Sequence, residues 1–101
     1  MTIRVRGLRF ATRRAVATYC GVILQHGELT PDDEAFIREV LKWHPRVKTI
    51  VGPGVGHIVV DRNGFGDACF VVERIDGKRV PFSFVTCITA KFEAGSKPEL
   101  R

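Results

Sequence analysis

Arginines without acidic neighbours are concentrated at the start of the sequence, and a guanidinium group is well suited to binding phosphate. These N-terminal arginines are Arg4, Arg6, Arg9, Arg13 and Arg14. Residues 1–26 contain no Asp or Glu, whereas residues 27–101 carry equal numbers of basic and acidic side chains, so the net charge of +5 arises in the first stretch. An arginine fork matches two phosphate oxygens, and counterion release adds affinity without sequence preference. We therefore predict a nucleic-acid-binding surface here, extended by Arg46 and Lys48.

A cation cluster alone is a weak indication of nucleic acid. The same charges can also be a solvated face of a basic protein, or can reflect an arginine-rich genome composition. Arg13 and Arg14 begin a predicted helix, where the helix dipole disfavours cations, so local stability does not explain them. Two kinds of partner stay open: RNA or a ribonucleoprotein, and an acidic protein. The oligomeric state is not predicted.

Residues that could catalyse a reaction each have a structural explanation. His44 ends a predicted helix, where the dipole favours its charged form and where we expect it to pack and cap. No nucleophile or orienting partner lies at a suitable spacing from it. Asp76-Gly77-Lys78 resembles part of a magnesium-dependent nuclease site, but Asp76-Gly77 is also a hairpin signal of type I′. We predict a protein that is not an enzyme.

Two further groups of residues are assigned to structure. The segment Gly52-Pro53-Gly54-Val55-Gly56 precedes a predicted strand, whereas phosphate-binding glycine loops precede a helix, so we predict a structural turn. Cys20, Cys69 and Cys87 include no C-x-x-C pair and are expected to be reduced core residues. We predict neither a metal nor a cofactor.

Local signals define the elements that must position these residues. Thr12 caps a helix over Arg13–Gln25 that ends at Gly27, and Thr30-Pro31 begins a second helix that ends before Pro45. Alternating or apolar runs predict strands, of which the first follows a mobile segment over residues 3–6. The predicted strands are Leu8–Phe10, His57–Asp61, Ala68–Arg74 and Lys78–Ile88.

These elements predict an α+β fold in which two α-helices pack on one face of an antiparallel sheet of three to four strands. Residues 1–93 form one domain, and residues 94–101 form a flexible C-terminal tail. No apolar run is long enough to span a bilayer or to act as a secretory signal. We therefore expect a cytoplasmic protein that does not associate with membranes.

An ordered series of short motifs covers about residues 8–90. The motifs are Phe10-x-Thr12-x-x-Ala15, His44-Pro45, Gly52-x-Gly54-Val55, Ile58 and Val60, Cys69-Phe70, Arg74-x-Asp76-Gly77 and Phe82-Ser83-Phe84-x-x-Cys87-Ile88. This series resembles the domain of the plant DCL (defective chloroplasts and leaves) protein, which also occurs in the largest subunit of plant RNA polymerase V and in small bacterial and phage proteins. The resemblance implies no catalytic activity, and the association of plant DCL proteins with chloroplast ribosomal RNA maturation implies a role near RNA.

This sequence departs from the resembled pattern at positions where basic residues are usual. The corresponding residues are Ile50 or Val51, Ala68 and Thr86. The departure concerns function and not fold: if those basic residues form the phosphate-contacting surface of the resembled domain, this protein either binds phosphate elsewhere or does not bind nucleic acid.

Overall fold

The computed structural model describes residues 2–62 and 64–93, so the predicted tail over residues 94–101 lies outside the described residues. Helices and strands follow one another in the order β-β-α-α-α-β-β-β-α. They are β1 (Ile3–Val5), β2 (Leu8–Phe10), α1 (Arg13–His26), α2 (Pro31–Leu41), α3 (Val47–Val51), β3 (Val55–Arg62), β4 (Ala68–Arg74), β5 (Arg79–Phe82) and α4 (Phe84–Glu93).

The chain begins with a hairpin in which β1 pairs antiparallel with β2. The prediction that residues 3–6 are mobile is wrong, because Ile3 and Val5 are buried and contribute to the core. Arg6 and Gly7 connect the strands with φ values of 51° and 84°, the left-handed pair that a two-residue type I′ turn requires. The core face of β1 therefore holds the hairpin against the body of the molecule.

The predicted helix starts are confirmed by their capping bonds. The Ala15 amide donates to Thr12 Oγ1 at 3.1 Å, and the Asp33 amide donates to Thr30 Oγ1 at 3.1 Å. Gly27 ends α1 with a φ of 79°, a conformation that glycine adopts without steric cost. Side-chain acceptors thus satisfy amides that the first turns leave without helical partners.

Three antiparallel strands form the main sheet in the order β3-β4-β5. Phe70 in β4 lies opposite Val60 on one side and Phe82 on the other. The turn between β4 and β5 is not of the predicted type I′, because Gly77 has a positive φ and Asp76 does not. The Gly77 amide donates to the Arg74 carbonyl at 3.0 Å, which gives a three-residue connection ending in a left-handed glycine.

The predicted strand Lys78–Ile88 is wrong in its second half. The strand ends at Phe82, and Ser83 begins α4 by accepting the Thr86 amide at Oγ. Phe84, Cys87 and Ile88 follow helical spacing, but the aromatic and β-branched residues also alternate with a period of two, at positions 80, 82, 84, 86 and 88. Burial of Cys87 and Ile88 against the rest of the core decides in favour of the helix.

The α+β class and the three-stranded antiparallel sheet are confirmed, but two helices, α3 and α4, were not predicted. One apolar core joins the sheet to the helices. Its fully buried side chains are Val16, Cys20, Ile37, Val40, Ile58, Phe70, Val72 and Cys87. The helices α1 and α2 contact β4 and β3 respectively, and α4 packs on both helices.

Candidate functional site

The N-terminal arginines lie on two neighbouring elements, the β1–β2 hairpin and the first turn of α1. Arg4 and Arg9 are directly opposite each other on the exposed face of the hairpin, and Arg6 is in its turn. Arg13 and Arg14 begin α1, which packs against β2. All five side chains are exposed, so the fold presents the whole N-terminal charge to solvent.

The electrostatics of this region are unfavourable for the isolated protein. Like charges directly opposite on a sheet repel, as Arg4 and Arg9 do. The first turn of α1 holds no acidic residue, so Arg13 and Arg14 face the positive end of the helix dipole without compensation from that turn. A bound anion would remove these costs.

Four basic side chains elsewhere in the described part of the chain have ion-pair partners, namely Arg38, Lys42, Arg74 and Arg79. Arg38 pairs with Glu34 at 3.1 Å, and Arg79 pairs with Asp61 at 3.0 Å. In residues 2–62 and 64–93, by contrast, no carboxylate lies within 4.0 Å of the guanidinium groups of four N-terminal arginines. These four are Arg4, Arg6, Arg9 and Arg14. The charges of Arg4, Arg6, Arg9 and Arg14 are therefore not neutralised by an ion pair within the described residues.

An apolar depression of about 570 Å³ adjoins Arg14. Phe10 and Tyr19 line it, and their rings meet edge to face with centroids 5.5 Å apart. Val22 on its border is 49% exposed. Cationic and apolar groups thus lie side by side on this surface, which can contact both a phosphate backbone and an unstacked base.

Arg46 and Lys48 lie on a different group of elements. Arg46 immediately precedes α3 and Lys48 is within it, and α3 packs against β4 and β5. Lys48 lines a cleft between α2, α3 and the start of β3. Lys48 therefore belongs to this cleft, whereas the hairpin that carries Arg4, Arg6 and Arg9 packs on α1.

His44 has the structural role that its position predicts, but not the predicted charge. Its Nδ1 accepts the Arg46 amide at 2.9 Å, which ties the end of α2 to the start of α3. Burial and the nearby charge of Arg46 lower the pKa of His44 below its ordinary value. The lowered pKa and the occupied Nδ1 both favour the neutral imidazole, against the imidazolium that the helix dipole alone would favour.

The glycine-rich segment packs against the β4–β5 turn. Gly52 has a φ of 55°, and an added Cβ there would collide with the Arg74 guanidinium. Arg74 in turn donates to Asp76 Oδ2 at 2.6 Å, and the Gly54 carbonyl accepts the Ile75 amide at 3.0 Å. The predicted turn is confirmed for residues 52–54, whereas Val55 and Gly56 already belong to β3. The glycine motif and the Arg74-x-Asp76-Gly77 motif pack together as one unit.

Asp76 is hydrogen-bonded within the β4–β5 turn. Hydrogen bonds from the Lys78 amide and from Arg74 lower the pKa of Asp76, the amide making the larger contribution. Its two carboxylate oxygens accept from these two partners at 3.1 and 2.6 Å. Asp76 therefore closes the hairpin, as the sequence predicts.

The buried thiols are poor nucleophiles. Burial raises the pKa of Cys20 to about 12, with a further contribution from Cys87, and burial likewise raises the pKa of Cys87 to about 12. Only the thiolate is reactive, so these side chains serve as small core residues. Within the described ranges, no three His, Cys, Asp or Glu side chains are grouped as a metal would require.

Glu34 has a positional role that sequence reasoning missed. Its Oε2 accepts the Ile58 amide and an Arg38 guanidinium N–H, each at 3.1 Å, while Arg38 also donates to the Gly56 carbonyl. Burial by itself would raise the pKa of Glu34, but these hydrogen bonds and the nearby positive charges lower it overall. Side chains of α2 thus cover part of the β3 edge, and no local signal could have shown a contact between such distant residues.

None of the helices in the described part of the chain is long and apolar enough to cross a membrane.

Comparisons with known proteins match the chain to a family of unknown function and to one solved structure. The family model for a protein of unknown function (DUF3223) matches residues 23–88, about two thirds of the chain. A solution NMR structure of an uncharacterized protein from Rhodospirillum rubrum superposes with a TM-score of 0.75 and 31% identity, covering 84% of this chain and 86% of that one. The two proteins therefore share the α+β fold.

Two Arabidopsis thaliana proteins share a short segment with this chain. DNA-directed RNA polymerase IV subunit 1 is 41% identical over 61 residues, and DNA-directed RNA polymerase V subunit 1 is 39% identical over 59 residues. These segments cover 59% and 55% of this chain but only 4% and 3% of those subunits. The resemblance to the polymerase V subunit is confirmed. The N-terminal arginines precede residue 23 and so lie outside the family match.

Proposed function

This chain belongs to the DUF3223 family of proteins of unknown function, and we propose that it binds RNA, free or in a ribonucleoprotein, through the N-terminal arginines without catalysing a reaction. One observation carries the proposal: five arginines are exposed on the hairpin and the first turn of α1, and four of them lack an ion pair among the described residues. Natural surfaces usually mix charges of both signs, so a region of one sign favours binding to an anion.

The apolar depression next to Arg14 favours RNA over a polyanion that has no bases. RNA recognition commonly uses unstacked bases that lie on aromatic or arginine side chains. Phe10 and Tyr19 supply such side chains beside the cations. The resemblance to DCL domains and to segments of RNA polymerase subunits points the same way. Because the chain spans so little of those subunits, polymerase activity is not proposed.

The proposal that the protein is not an enzyme is supported by the structural roles of the candidate catalytic groups. His44 Nδ1 accepts a backbone amide, Asp76 closes a turn, and the thiol of Cys20 has a pKa of about 12. A catalytic base or nucleophile needs an accessible lone pair and a pKa matched to its task.

Fluorescence anisotropy with a labelled RNA hairpin, and with a single-stranded RNA of equal length, tests the proposal. We expect micromolar binding that weakens steeply between about 50 and 200 mM salt, as counterion release requires. Arg4→Ala with Arg9→Ala should weaken binding and lower the salt slope by about 1 for each lost phosphate contact. Both arginine side chains are exposed, so the double variant should remain folded.

Lys78→Ala is the matched control, since it removes an exposed positive charge from the β4–β5 turn. We expect it to leave the salt slope unchanged. The proposal fails if no salt-dependent binding is seen at micromolar protein, or if Lys78→Ala weakens binding as much as loss of the hairpin arginines.

A further inference from the structure

The cleft beside Lys48 is independent of the N-terminal arginines and lies wholly within the family match. This aliphatic cleft has a volume of about 560 Å³ and is lined by Arg38, Leu41, Lys42, Val47, Lys48, Val51, Gly52 and Val55. We propose that the aliphatic cleft binds an acidic peptide segment of a partner protein, which inserts one apolar side chain between α2 and α3.

The floor of the aliphatic cleft is apolar and accessible. Leu41 in its lining is buried, whereas Val47, Val51 and Val55 line the cleft and are each half-buried. Ligand sites typically measure about 300 to 1,000 Å³ and are mainly apolar with a few placed polar groups. A leucine or phenylalanine side chain is the kind of anchor that such a floor stabilises.

The rim of the aliphatic cleft is cationic. Its charged side chains are Arg38, Lys42 and Lys48, and none of its lining residues is acidic. Arg38 is held by its ion pair with Glu34 at 3.1 Å, so Lys42 and Lys48 supply the charge for a ligand. Lys48 has no ion pair among the described residues. Lys42 pairs with Glu39 at 3.0 Å, but its side chain is 68% exposed, and such surface pairs contribute little and exchange readily. Side-chain polar groups around the cleft are therefore all donors, so a ligand must offer acceptors and negative charge.

An acidic peptide fits this chemistry better than a nucleic acid. No aromatic side chain lines the aliphatic cleft, so it provides no platform on which bases could stack. A peptide offers carboxylates for Lys42 and Lys48 and an aliphatic or aromatic side chain for the floor. Charge complementarity of this kind sets orientation and the rate of association.

Fluorescence anisotropy with a fluorescein-labelled peptide tests the inference, the probe being a run of glutamates on either side of Leu-Phe-Leu. Two matched peptides replace either the three apolar residues by serine or the glutamates by glutamine. We expect the parent peptide to bind and each matched peptide to bind about tenfold more weakly, since both floor and rim contribute. Lys42→Glu with Lys48→Glu should weaken the parent complex by about tenfold.

Three control variants separate this site from the proposed RNA surface. Lys48→Ala repeats the test with a small substitution at an exposed position, which should not unfold the protein. Lys78→Glu reverses a charge in the β4–β5 turn, outside the aliphatic cleft. Arg9→Glu should weaken RNA binding and leave peptide binding unchanged. The inference is overturned if the parent peptide does not bind at about 1 mM, or if the serine peptide binds equally well. It is also overturned if Arg9→Glu abolishes peptide binding while the Lys42 and Lys48 variants retain it.

Discussion

At the scale of single residues, polar groups that look available in the sequence are mostly occupied by neighbouring backbone. His44 accepts the Arg46 amide, and Asp76 accepts the Lys78 amide. Both are contacts between residues two apart, where a side chain takes the place of a backbone acceptor in closing a turn. The residues that remain available are arginines and lysines, and these serve binding more readily than acid–base chemistry.

Protonation of His44 should destabilise the protein. The pKa of His44 is lowered in the folded state, so the unfolded chain binds its proton at a higher pH. Its contribution to stability is therefore complete above about pH 6.5 and is lost as the pH falls toward the folded-state pKa. We expect the Tm to decrease between pH 7 and pH 5, measured by circular dichroism.

His44→Asn provides the matched variant for this effect. An asparagine oxygen can accept the amide two residues later but does not titrate. This variant should stay close to wild type at pH 7 and lose less stability on acidification. His44→Ala should be less stable at both pH values by about 1 kcal/mol, because the Arg46 amide loses its partner. Equal pH profiles for wild type and His44→Asn would disprove the assignment.

At the scale of elements, the structure joins segments that are distant in sequence. The residues 52–56 connection packs on the β4–β5 turn through Gly52 and Arg74, and α2 covers the β3 edge through Glu34. The opposite edge strand, β5, is short and contains Pro81, which cannot donate to a further strand. Both edges of the sheet are thus partly protected from unwanted pairing.

Gly52→Ala should lower the free energy of unfolding by about 1–3 kcal/mol. The added Cβ would meet the Arg74 guanidinium, and alanine disfavours a φ of 55°. Urea denaturation followed by Trp43 fluorescence measures the change. Gly21→Ala is the control of opposite sign, since Gly21 lies in α1 with no atom within 4 Å of the added Cβ. It should stabilise the protein by up to about 1 kcal/mol. Equal effects of the two substitutions would contradict the packed-unit description.

At the scale of the whole molecule, some cations form ion pairs and others are exposed without one. Arg38 and Arg79 pair with carboxylates of α2 and the sheet, while Arg4, Arg6, Arg9 and Arg14 have no ion pair among the described residues. The aliphatic cleft adds a second cationic surface inside the region shared with the family. Two proposed partners, RNA and an acidic peptide, thus have distinct surfaces on one small domain.

Arg9→Glu should stabilise the protein while weakening RNA binding. It places a carboxylate opposite Arg4, replacing repulsion by attraction across the hairpin. We expect a gain of about 0.2–1 kcal/mol in the free energy of unfolding at low salt. The gain should shrink at about 1 M salt, where exposed charges are screened. A loss of stability, or unchanged RNA affinity, would argue against a surface whose charge is retained for binding.

The sequence by itself determined the parts of this protein that depend on neighbouring residues. Thr12 and Thr30 caps, the Gly27 helix end and strand β4 follow from local hydrogen bonding, backbone conformation and apolar periodicity. Confinement of the net charge to the first 26 residues is likewise a property of the sequence. Such features need no knowledge of the remaining chain.

Only the tertiary structure decided the rest. Residues 84–93 are compatible with strand or helix by pattern, and burial against α1 and α2 selects the helix. The packing of Arg74 on Gly52, the Glu34 contact with β3 and the position of Lys48 at the aliphatic cleft all join residues from different elements. The physical reason is that these contacts form between segments brought together by a shared core, and local periodicity does not specify which segments will meet.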